Sequence, residues 1–123
     1  MSLTHVQLLS VPVADQDRAL DFYVNTLGFD LLADAQLGPD QRWVQVGAPG
    51  GQTSLTLVTW FETMPAGSLR GLVIESDDLE ADVKALAARG LALSDVQAAP
   101  WGQFVTCQDP DGNGLILQAT ARA

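Results

Sequence analysis

A chain of 123 residues with 47% apolar content has the length of one ordinary globular domain and no room for a second. Fifteen acidic against six basic residues give a formal net charge of −9, which repels a phosphate backbone, argues against nucleic acid as a partner and favours a cationic small molecule. The lone cysteine, Cys107, excludes an internal disulfide and a Cys-rich metal cluster. No run approaches the roughly 18 apolar residues that cross a bilayer, and no basic-then-apolar leader opens the chain, so no membrane partner and a cytoplasmic location are expected.

In chain order, Leu3 to Val13 is rich in β-branched and large apolar residues and predicts a first strand closing near Pro12. Asp15 then opens a helix to Leu27, with Ala19, Leu20, Phe22, Tyr23 and Leu27 at helical spacing and Gly28 as its stop. Strands are predicted at Phe29–Leu32, Arg42–Val46 and Thr53–Thr59, and Met64-Pro65-Ala66-Gly67-Ser68 reads as a linker. A short strand follows at Gly71–Glu75. The second helix, Asp77–Arg89, carries Leu79, Val83, Leu86 and Ala87 on one face and stops at Gly90. Strands at Leu91–Leu93, Gln103–Cys107 and Leu115–Ala119 complete the pattern.

Both halves therefore read β-α-β-β-β. Asp15 matches Asp77 and Gly28 matches Gly90 at an offset of 62, and Trp43 matches Phe104 and Pro49 matches Pro110 at 61. The expected architecture is α+β, two tandem β-α-β-β-β modules forming a curved mixed sheet. It occupies a single domain over 1–123, with module one at 1–62, a linker at 63–68 and module two at 69–123. One helix cannot cover both faces of its sheet, so the uncovered faces would bound a cavity for a small ligand.

Val13-Ala14-Asp15, Arg18-Ala19-Leu20-Asp21-Phe22-Tyr23, Leu27-Gly28-Phe29, Trp101-Gly102 and Asp109-Pro110-Asp111-Gly112-Asn113 occur here in an order and spacing that resembles the vicinal-oxygen-chelate superfamily. That superfamily includes glyoxalase I, bleomycin-resistance proteins, fosfomycin-resistance enzymes, methylmalonyl-CoA epimerase and extradiol dioxygenases. The resemblance implies a homodimer and, in the enzymes, one divalent metal held by His, Glu or Gln from four strands. Counting from the shared motifs puts those positions at Leu8, Leu55, Gly71 and Ile116. Ile116 lies seven residues after Asp109, where the enzymes carry a metal-binding Glu, and Leu55 is its mate at an offset of 61. None of the four supplies a side-chain donor for a hard cation, so no metal and no other cofactor is expected.

Other polar and aromatic residues remain as candidates for the cavity. Glu75 shares parity with Gly71 and Val73, Gln118 with Ile116, and Ser10 with Leu8, so these three are expected on the cavity side. Glu75 is the candidate general base, or the partner of a cationic ligand group. Trp43 and Gln45 alternate with Arg42 and Val44, and the pattern alone does not decide which set faces inward. Trp60 and Trp101 lie at strand ends, where an aromatic either walls a pocket or packs a core. Asp111 and Asn113 read as turn chemistry. His5 is the one histidine, three residues from Leu8, and alternation points it to the other face unless a bulge intervenes.

Two functions compete. In the first, a bleomycin-resistance-like protein binds a small molecule without the usual metal site, using Ser10, Trp43, Gln45, Trp60, Glu75, Trp101 and Gln118. In the alternative, a glyoxalase-like lyase or isomerase, or a dioxygenase, uses a displaced divalent metal at His5, Glu75 and Gln118.

Overall fold

The computed structural model describes residues 1–121, and in it the two halves form two separate four-stranded sheets. The first half runs β1 (Leu8–Pro12), α1 (Gln16–Asp21), a π-helical turn (Phe22–Thr26), β2 (Asp30–Gly38), β3 (Gln41–Gly47) and β4 (Ser54–Val58). The second runs β5 (Leu72–Glu75), α2 (Leu79–Ala88), β6 (Gln97–Ala99), β7 (Gly102–Gln108) and β8 (Gly114–Thr120). The strand orders, β1-β4-β3-β2 and β5-β8-β7-β6, are the same arrangement twice. In each, the first strand pairs parallel with the last, and the rest pair antiparallel. The class is α+β.

Each helix forms for reasons visible in its own residues. The Asp15 carboxylate accepts from the Arg18 amide and the Asp78 carboxylate from the Ala81 amide, so both helices start on an Asp cap. Both stop at a glycine of positive φ, Gly28 at 81° and Gly90 at 90°, a conformation that costs a residue without Cβ little. Between Phe22 and Thr26 the first helix widens: the Leu27 amide bonds the Phe22 carbonyl five residues back. This lets the adjacent Phe22 and Tyr23 both stay buried, their rings edge to face at 5.1 Å.

The apolar side chains of both halves form one cluster. Val11, Val44, Val46, Leu55 and Leu57 of the first sheet meet Ala19, Phe22 and Tyr23, and Val105, Cys107, Leu115 and Leu117 of the second sheet meet Leu79 and Leu86. Burial of Cys107 lifts its thiol from 9.0 to about 11, with the nearby Asp109 adding to the effect.

Three sequence expectations change. Strand β1 begins at Leu8 rather than Leu3, because its neighbour β4 begins at Ser54, opposite Leu8, and residues before it have no strand to pair with. The Leu91–Leu93 segment is not a strand; Leu91 and Leu93 pack against the core, and the edge strand is Gln97–Ala99. The module edges do not join by hydrogen-bonded strands within the described chain. Instead, the Asp109–Asn113 turn reaches across.

That turn does more than reverse the chain. Asp109 accepts from the Asp111 and Asn113 amides through Oδ1, and from Tyr23 Oη and Asn113 Nδ2 through Oδ2. Asn113 is fully buried; its Nδ2 donates to the Pro12 carbonyl and its Oδ1 accepts from the Leu69 amide. Asp111 accepts from the Ala14 amide and Arg18 Nη2. Gly67, whose amide donates to the Pro12 carbonyl, has φ 82°, and a methyl there would collide with the Asp111 carbonyl oxygen. Asp111 and Asn113 thus serve the turn, as expected, and also fasten the second half to the end of β1.

Candidate functional site

On the first sheet the face opposite the helix carries a hydrogen-bonded polar row. The alternation left open by sequence resolves because Val44 and Val46 are fully buried in the core, which turns Trp43 and Gln45 to the other side. Trp43 Nε1 donates to Gln45 Oε1 at 3.1 Å, and Gln45 Nε2 donates to Ser54 Oγ at 2.7 Å. Ser10 and Thr56 pair through their hydroxyls at 3.2 Å, and Thr56 lies opposite Gln45. Trp43, Gln45 and Ser10 remain half exposed, so the row presents one indole face, one amide and one hydroxyl outward. Arg42, on the helix side, is held by both oxygens of Asp34 and by Asp17, which keeps its own charge fixed and holds the Asp34 carboxyl below its usual range.

Register corrects the position assigned to Leu55. That side chain is 6% exposed, lies opposite Val46 and belongs to the core; the residue on the opposite face is Thr56. The loop before β4 is one residue longer than the Asp109–Asn113 turn relative to the strand that follows, and a one-residue slip moves a side chain to the other face. Thr56 and Ser54 were therefore missed, and the hydroxyl pattern of Ser54-Leu55-Thr56-Leu57 is the signal that marks them.

The second sheet shows the expected parity. Leu72 and Ile74 lie opposite Leu115 and Leu117, while Val73 lies opposite Ile116 and Glu75 opposite Gln118. Glu75 accepts from the Thr120 amide at 2.9 Å and the Thr120 hydroxyl at 2.7 Å, and Gln118 Nε2 reaches the same hydroxyl at 3.2 Å. Phe104 pairs with Gln118 across β7 and β8, and the Trp101 ring stacks near-parallel on it at 6.4 Å. Trp101 is 55% exposed and Val73 49%. Trp60 sits beyond β4 and packs against Phe61 at 6.1 Å. The candidates thus gather in two sets, Ser10, Trp43 and Gln45 on one sheet and Glu75, Gln118 and Trp101 on the other, with Trp60 in neither.

His5 lies in the exposed segment before β1, its ring bonded to Thr4 Oγ1 at 2.9 Å. A bulge that returns it to a strand face is absent, since the segment forms no strand among the described residues. Nor does any group of three His, Cys, Asp or Glu side chains form a metal-holding cluster among the described residues. Leu8, Gly71 and Ile116 carry no side-chain donor atom for a divalent ion, and the Thr56 hydroxyl is paired with Ser10.

Residues 2–117 match the family model described as the glyoxalase/bleomycin resistance protein/dioxygenase superfamily. The chain belongs to this superfamily. Among solved structures it is similar to TnmS3, an antibiotic binding protein from Streptomyces sp. CB03234, with 53% identity, a TM-score of 0.94, and 98% of this chain and 99% of that one covered. A superfamily member from Sphaerobacter thermophilus DSM 20745 shares 35% identity, with a TM-score of 0.89 over 97% of this chain and 99% of that one. The uncharacterized protein YetH of Bacillus subtilis (strain 168) is 30% identical, over 94% of this chain and 98% of its own. No helix among the described residues is long and apolar enough to cross a membrane.

Proposed function

We propose that this superfamily member is a cytoplasmic binding protein that takes up an antibiotic-like small molecule on the faces opposite its helices, without a metal ion. The observation that carries this reading is the hydrogen-bonded row of Trp43, Gln45, Ser54, Ser10 and Thr56 on the sheet face opposite the helix. A flat indole beside fixed amide and hydroxyl groups suits an aromatic ligand with a few polar substituents. The similarity to an antibiotic binding protein at 53% identity supports the same ligand class. The net charge of −9 favours a ligand carrying positive charge.

The working form is a homodimer. Each chain leaves Val73 and Trp101 of the second sheet open to water, and a second copy set against them would enclose the ligand between Trp43 of one chain and Trp101 of the other. Glu75 binds rather than catalyses in this reading, since both its oxygens are engaged with Thr120.

A thermal-shift panel of bleomycin and of polycyclic aromatic antibiotics tests the proposal, because a ligand that prefers the folded state raises its melting temperature by mass action. At least one compound should stabilise the protein, and Trp43→Ala should remove that shift while leaving the unliganded melting temperature close to wild type. A shift that survives Trp43→Ala and Gln45→Ala together contradicts the placement of the site.

A further inference from the structure

A cavity of about 260 Å³ lies at the seam of the two halves, on the helix side of the second sheet and away from the faces just described. Its apolar walls come from both halves: Leu27 and Phe29 just past the π-helical turn, Ile74 of β5, Leu86 of α2 and Leu117 of β8. A cavity of roughly 150 Å³ holds a benzene ring, so this one has room for roughly ten non-hydrogen atoms. It opens to solvent on one side, with Leu86 and Leu117 buried at its floor, so an occupant would cover apolar surface that water now meets.

Polar groups of α2 and of the residue after β5 line it too. Asp82, Ala85, Leu86 and Arg89 share a face of α2 by their spacing, and all four line the cavity. The Arg89 guanidinium is committed to the first half, donating to the Thr26 carbonyl at 2.6 Å at the end of the π-helical turn. The Asp82 carboxylate accepts from Ser76 Oγ through Oδ2, with Oδ1 as a further acceptor position at the rim. The π-helical turn is a second, independent sign. Such turns recur at functional sites, and this one sets the direction in which Leu27 and Phe29 leave the helix and so forms one wall.

We infer that the seam is a second ligand site, for a compact amine with an apolar body: the ring or chain fills the space between Phe29 and Leu117, and the ammonium group bonds the Asp82 carboxylate. Because its walls come from both halves, an occupant also braces one half against the other.

Phenethylamine, with an aromatic ring and a primary ammonium, is the probe, and phenylacetate, of similar size and opposite charge, is the control. Amide chemical shifts of the labelled protein should move with phenethylamine at residues 27–29, 74–76 and 82–89 and stay put with phenylacetate. Asp82→Asn should weaken phenethylamine about tenfold, the difference between a charge-assisted and a neutral hydrogen bond. Ala85→Met, an exposed substitution by a good helix former, should block the cavity and abolish the shifts with circular dichroism unchanged. Equal binding of both probes, binding that persists in folded Ala85→Met, shifts confined to Trp43, Thr56 and Gln118, or no shifts at millimolar probe would each overturn the inference.

Discussion

Replacing Asn113 by Ala tests whether the Asp109–Asn113 turn holds the two halves together. The side chain is fully buried and makes three hydrogen bonds: from the Leu69 amide at 3.0 Å, to the Pro12 carbonyl at 2.8 Å and to Asp109 Oδ2 at 2.7 Å. The losses are unequal. The Leu69 amide loses its acceptor, and an orphaned buried donor costs about 1–3 kcal/mol. The Pro12 carbonyl keeps the Gly67 amide and Asp109 Oδ2 keeps Tyr23 Oη, so each of these losses costs about 1 kcal/mol, the net worth of an ordinary bond. The sum is about 3–5 kcal/mol, a large part of the roughly 5–15 kcal/mol by which a domain is stable. Urea unfolding followed by tryptophan fluorescence measures it. Asn113→Asp serves as the control: it keeps the volume and an acceptor for Leu69 but sets a second carboxylate beside Asp109, so its cost should shrink as pH falls and that pair takes up a proton. A loss below about 1 kcal/mol for Asn113→Ala would refute the view that these buried bonds fasten the halves.

Tyr23 is the chain's one tyrosine, and burial, followed by the charge of Asp109 and its hydrogen bond, pushes its hydroxyl far above the ordinary 10.0. Above pH 10 the unfolded chain releases this proton and the folded one does not, so stability should fall as pH rises through that range, and tyrosinate absorbance should appear only with unfolding. Ionisation near pH 10 in the folded protein would contradict the Tyr23–Asp109 bond. Cys107, 7% exposed with its thiol raised to about 11, should resist a thiol reagent at pH 8 until denaturant is added, and rapid native labelling would place it at the surface instead. Thr56→Val should weaken any ligand bound on the first sheet by freeing Ser10 to reorient, with little effect on folding, and an unchanged affinity would remove the Ser10–Thr56 pair from the site.

Much of this fold was legible because local chemistry and burial agree. Asp15 caps the first helix as expected, whereas the cap of the second is Asp78, one residue past the Asp77 that the repeat pointed to; Gly28 and Gly90 end the helices, and Ala19, Phe22, Leu79 and Leu86 mark the buried faces at helical spacing. Legibility failed where an apolar residue had two uses. Leu3 and Val6 look like strand residues but have no β4 residue opposite, and Leu91 and Leu93 are apolar for packing against the core rather than for pairing. The site was half legible for a related reason: parity set Ser10 beside Thr56 and Glu75 beside Gln118 across paired strands, but the 61-residue offset carried Leu55 to the wrong face across a loop of different length. The role of Asn113 was hidden because its partner Pro12 lies 101 residues away, a distance no local pattern spans.

The most direct test of the account is calorimetric titration of chelator-dialysed protein with the antibiotics that shift its melting temperature. The account predicts binding by the metal-stripped protein, with an affinity unchanged when zinc, nickel or manganese is restored. Binding that disappears on chelation and returns with one equivalent of metal per chain would contradict it.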